Sequence, residues 1–161
     1  MDENKKNITK MTFRISEVAI DEVSLLPHKI KILPPGEEGF IIETTVSLNI
    51  AAEEKKIEIG VWVKLFTDRE KTNFLGEIKV RTVFIIESLP ELKIYENLVQ
   101  IPEMIMANFI SIAISTTRGV LAAYTNDTPL KDAILPPQNP MTFAKQMQVK
   151  ITKDSPTLET K

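Results

Sequence analysis

A nearly unbroken apolar run from Pro102 to Ile114, PEMIMANFISIAI, leads into Thr116-Thr117-Arg118-Gly119, shortly after a strand-like stretch from Asn73 to Glu87, NFLGEIKVRTVFIIE. A helix that is apolar nearly all round must be covered on most sides, and one antiparallel sheet covers only one of them. The uncovered remainder predicts a partner subunit or a bound client.

At 161 residues the chain suits a single domain, able to bury about 70% of its unfolded surface. The absence of cysteine removes disulfides, thiolate chemistry and cysteine metal sites, and a lone His28 cannot form a histidine cluster. No signal-peptide pattern follows the polar first residues, and no stretch reads as about 18 consecutive apolar residues, so a cytoplasmic protein without membrane insertion is expected. A net charge of −2, with Lys and Arg scattered among Glu and Asp, offers no stripe for phosphate backbones. Nucleic acid is therefore not an expected partner.

The patterning predicts polar tails over 1–10 and 151–161 around one domain spanning 11–150. Phe13 and Ile15 alternate on one face and Val18 and Ile20 on the other, which predicts a strand with a bulge near Glu17. Leu33-Pro34-Pro35-Gly36 interrupts the chain. Phe40, Ile42, Val46, Leu48 and Ile50 share a face of a second strand, and Ile57, Ile59, Val61, Val63 and Leu65 share a face of a third. Trp62 falls on the nominally polar face. Phe74, Gly76, Ile78 and Val80 continue the alternation in a fourth strand. Half-buried strands with short polar turns predict an antiparallel meander, which the first strand joins through the Pro-rich link. Strands first and helix after give an α+β fold. The long helix is expected to start at Pro102 or Glu103, with Asn108, Ser111 and Ser115 as a thin polar stripe. Arg118 suits its C-terminal end, and Gly119 suits a left-handed cap. The four prolines between Asn126 and Pro140 predict an extended crossing before a short helix over Met141–Val149.

Residues that could carry catalysis are scarce. Five glycines at 36, 39, 60, 76 and 119 form no phosphate loop, and His28 beside Pro27 has no nucleophile motif near it. The Glu37-Glu38 and Glu53-Glu54 pairs lie in predicted turns, where solvation explains them. Met104, Met106, Met141 and Met147 suit core packing first and an adaptable binding surface second. No enzyme, cofactor or metal is expected.

The order of these segments resembles the SecB family of protein-export chaperones. Met11-Thr12-Phe13 is similar to the opening of the family's first strand, and Phe74-Leu75-Gly76-Glu77 to its phenylalanine-leucine-cysteine-glutamate run. Thr117-Arg118-Gly119 resembles its helix-ending arginine-glycine. Leu135, Pro137 and Asn139 match its leucine-x-proline-x-asparagine spacing. The collinear strings cover about residues 11–143. Two features depart from the family: residues Val120 to Asp132 are additional, and Asn139-Pro140 replaces asparagine-phenylalanine.

The resemblance implies an ATP-independent holdase that keeps non-native or precursor proteins unfolded and passes them to the motor SecA. It implies a homotetramer, a dimer of dimers, with helices between sheets. The client groove would use Val46, Leu48, Ile50, Phe74 and Leu135, although the three β residues equally suit an ordinary core face. An acidic SecA-docking face would use Glu22, Leu75 and Glu77, with Leu26 replacing a further acidic position. Glu77 equally suits a plain solvent-facing strand position. The oligomer interface would use Gly76, Ile78, Val80, Phe109 and Ile112. The alternative is a scaffold or toxin-antitoxin-associated chaperone of the same fold, with one dedicated partner and no export role.

Overall fold

A computed structural model describes residues 12–30, 39–51, 54–88, 93–95, 98–147 and 158–159. The expected N-terminal tail, the Pro-rich link at Leu33–Gly36 and most of the expected C-terminal tail lie outside the described residues.

Four long strands form the sheet: β1 (Thr12–Leu25), β2 (Ile41–Ala51), β3 (Lys56–Phe66) and β4 (Phe74–Ser88). A small ribbon of β5 (Lys93–Tyr95) and β6 (Leu98–Gln100) precedes α1 (Glu103–Thr125) and α2 (Pro140–Gln146). A two-residue strand, β7 (Leu158–Glu159), closes the series. The sheet order is β1-β4-β3-β2-β7, antiparallel throughout. β2, β3 and β4 form the expected meander, and β1 returns beside β4, which makes a Greek-key order. The fold is α+β.

Residues paired across strands share a face. Ile57, Ile59, Val61, Val63 and Leu65 of β3 lie opposite Ile50, Leu48, Val46, Thr44 and Ile42 of β2, which sets the core face. α1 lies over β3 and β4 on that face and also packs against α2. Its buried side includes Met106, Phe109, Ile110, Ala113, Thr117 and Leu121. Phe109 meets Phe84 of β4 at 4.7 Å and Phe13 of β1 at 4.9 Å between ring centroids.

By length and mean hydropathy α1 could span a membrane, although Asn108, Ser111, Ser115 and Arg118 interrupt it and no run of about 18 consecutive apolar residues is present. Here one side of it is the core of the domain. Its outward side carries Asn108, Ser111, Ser115 and Gly119, so the thin polar stripe faces solvent. The helix also runs past Arg118-Gly119. Gly119 is an ordinary helical residue, and the left-handed cap expected there does not form. Arg118 instead donates from Nε to the Leu135 carbonyl at 2.8 Å and from Nη2 to the Pro136 carbonyl at 3.2 Å. Residues 120–125 of the additional segment are thus nearly two further helical turns, and Pro129 follows the helix end. In α2, the Asn139 side chain accepts from the Met141 N–H at 3.0 Å, with Pro140 in the first turn, where its missing N–H costs nothing.

Candidate functional site

β1 presents the largest departure from a closed core. Its register with β4 shifts between Ile15 and Glu17 and again between Ile20 and Glu22. A bulge adds one residue and thereby restores parity. Ile15, Val18, Ile20 and Val23 consequently pair with Phe84, Thr82, Val80 and Ile78, all on the helix side of β4. The bulge expected near Glu17 is present, and it returns Val18 and Ile20 to the face of Ile15. α1 does not reach over this flank, and the four side chains remain 46%, 45%, 43% and 37% exposed. Ile105 and Ile112, one turn to either side of Phe109, are half-buried along the same helix flank. The parity switch after Ile15 pointed to the first bulge; the second, between Ile20 and Glu22, keeps Val23 on the same face and had no such signal.

The residues expected to line a client groove separate into three groups. Val46 and Leu135 are fully buried and belong to the core of the single chain, so neither is presented to a ligand. Leu48 and Ile50 are half-buried on the core face of β2. Phe74 is half-buried too, but its ring meets Phe66 at 5.7 Å, and by register the Phe66–Phe74 pair adjoins Ile41 on the opposite face. Leu48 and Ile50 stand seven and nine residues along β2 from Ile41, roughly 23–30 Å at the rise of a strand. One groove therefore does not gather all five.

The outer face of the sheet holds Glu22 and Glu77, yet it is not acidic. The Trp62 indole N–H donates to Glu77 Oε2 at 2.8 Å, while Lys64 Nζ lies 4.0 Å and Lys79 Nζ 5.7 Å from the Trp62 ring centroid. Arg81 donates from Nε to Asp21 at 3.3 Å and reaches Glu17 at 3.7 Å and Glu58 at 3.9 Å. The Asp21 contact is the main reason that the Arg81 guanidinium is held above its ordinary range. Lys56 lies 2.8 Å from Glu58, and that hydrogen bond chiefly holds the Glu58 carboxyl below its ordinary range. The carboxylates are thus interleaved with cations. Leu75 is fully buried in the core cluster: the β3–β4 register shift between Leu65 and Phe66 makes it the extra residue of a bulge and turns it inward. It cannot take part in an exposed docking face.

Gly76, Ile78, Val80 and Phe109, expected at an oligomer interface, are buried within one chain. Gly76 has φ +140° and lies directly against the Ser24 carbonyl oxygen and Leu25 Cα of β1, so it serves the β1–β4 contact. Only Ile112 of that set retains exposed surface. Among the described residues no group of three or more Asp, Glu, His or Cys is placed to hold a metal ion. His28 is exposed in a short 3-10 turn, Pro27–Lys29, with no nucleophile engaged.

A comparison with protein-family models finds no match, and a comparison with curated proteins finds no similar sequence.

Proposed function

We propose that this chain is a SecB-like, ATP-independent holdase that assembles into homo-oligomers and binds non-native polypeptides through apolar surface. The observation that carries the reading is the uncovered stripe Ile15, Val18, Ile20 and Val23 along β1. Contiguous apolar surface bounded by charged side chains favours association with another apolar surface. Burial of each half-exposed aliphatic side chain contributes on the order of 1 kcal/mol, so a second copy covering the stripe gains from both chains. The outer edge of β2, with half-buried Leu48 and Ile50 beside it, is the surface proposed for clients, where an extended chain can pair by backbone hydrogen bonds without sequence preference.

A second reading is favoured by the outer face. Its Glu77, Asp21, Glu17 and Glu58 carboxylates are paired with the Trp62 indole, Arg81 and Lys56, so they offer weak electrostatic complementarity to a basic motor. A chaperone or scaffold with one dedicated protein partner, and no delivery to SecA, fits this face better than export does.

The test uses reduced and carboxymethylated α-lactalbumin, which stays unfolded, mixed with the protein without nucleotide and sized by light scattering. A multimer that carries this client in a soluble complex is expected. A monomer that takes up none of it defeats the holdase reading, whereas a multimer that takes up none leaves the dedicated-partner reading.

A further inference from the structure

The two edges of the sheet are built differently. β1 carries three register shifts together with Arg14, Glu17, Asp21 and Glu22, features that discourage another strand from pairing along it. β2 runs Ile41–Ala51 in continuous register with β3, and its only charged residue is Glu43; it has no Pro, Lys or bulge. An edge so unprotected invites strand addition. In this structure it is met by the chain's own C-terminal segment: Leu158 pairs with Leu48 and Glu159 with Ser47, antiparallel. Successive N–H groups of a strand point to alternate sides, so one of the Ser47 and Leu48 amides faces β7 rather than β3.

We infer that the β2 edge is a strand-acceptor site and that residues Leu158–Glu159 are its resident occupant, which an incoming extended polypeptide must displace. The competition with clients rests on the holdase reading; the pairing of the tail with β2 does not. Two residue pairs alone form a contact of low local stability, suited to a displaceable plug. Tethering still gives the tail an effective concentration near the millimolar range, which weak clients in free solution do not reach.

The experiment compares the full chain with full-length Leu158→Pro, in which the proline removes one donor and resists the paired strand, and with a chain ending at Thr152. Amide hydrogen exchange at Ser47 and Leu48 is read first. The outward amide should exchange about tenfold faster in both variants, with protection in the unaltered chain independent of protein concentration. Unchanged exchange overturns the inference, and protection that disappears on dilution overturns it in favour of a tail donated by a second copy. Affinity for carboxymethylated α-lactalbumin is read second and should tighten several-fold in both variants. Client uptake with equal affinity in all three chains removes the competition. Faster exchange with no client uptake by any chain leaves the plug in place and defeats the holdase reading instead.

Discussion

Asp68 and Gly76 both fix the start of β4, each through a different physical effect. Asp68 closes the β3–β4 turn: its Oδ1 accepts from the Thr72 N–H at 2.9 Å and its Oδ2 from the Asn73 N–H at 2.7 Å. The Thr72 amide, then the Asn73 amide, holds the Asp68 carboxyl below its ordinary value of 3.8. Because the folded-state pKa is the lower one, this stabilisation is complete above the ordinary value and is lost as pH falls through the depressed one. Asp68→Asn should therefore lower the thermal midpoint near neutral pH, and the gap between variant and parent should shrink as pH drops below about 3.8; a gap constant with pH would remove the assigned role. Gly76 works through sterics. Its φ of +140° and its position against the Ser24 carbonyl oxygen leave no room for a Cβ. Gly76→Ala should cost about 1–3 kcal/mol in denaturant unfolding, and a loss below about 0.5 kcal/mol would show that β1 yields easily. These local details explain what pattern reading missed. A bulge changes side-chain parity without changing composition, so Leu75 resembled a surface residue, whereas the bulge near Glu17 was legible from the parity switch between Ile15 and Val18.

At the scale of the element, the four long strands were legible because half-buried strands alternate strictly: Ile57 to Leu65 of β3 shows this over its whole length. The start of α1 was equally legible, since Pro102 suits the position before a helix. Its end was not. Arg118-Gly119 carries the local signature of a helix stop, but Thr117, Leu121 and Thr125 on one side are buried, and tertiary packing outweighs the propensity of one glycine. The hydroxyls of Thr117 and Thr125 donate to the Ala113 and Leu121 carbonyls, each at 2.9 Å, which satisfies them inside the core. Gly119 is exposed with open space where a Cβ would lie. Gly119→Ala should accordingly stabilise the protein by about 0.5–1 kcal/mol, read from denaturant midpoints at unchanged m-value. A destabilising result would mean that this face of α1 is packed closely against another molecule, which the single chain does not reveal. The Arg118 anchor was misread for a related reason: the sequence offered a helix dipole as its partner, whereas the fold brings the Leu135 and Pro136 carbonyls within reach.

For the whole molecule, the apolar excess identified in the helix has moved to the sheet. α1 turns its polar stripe outward together with Met104 and Tyr124, and the four uncovered aliphatic side chains that share one strand face belong to β1. The groove and interface residues transferred by resemblance were mostly core because a residue on the apolar face of a sheet has the same pattern whether a helix or a partner covers it. The uncovered stripe makes assembly testable without perturbing the fold. Val18 and Ile20 are already nearly half exposed, so Val18→Lys with Ile20→Lys should change the stability of an isolated chain by within about 0.5 kcal/mol per site. In an assembly that buries the stripe, each copy would instead have to desolvate two ammonium groups without partners, at a cost of several kcal/mol. The unaltered protein is therefore expected to scatter light as a multimer and the double variant as a smaller species with a folded circular-dichroism spectrum. If both have the same mass, the stripe is not the assembly surface. If that mass is a monomer's, the exposed face of β1 must meet a different protein, and the dedicated-partner reading gains over self-assembly.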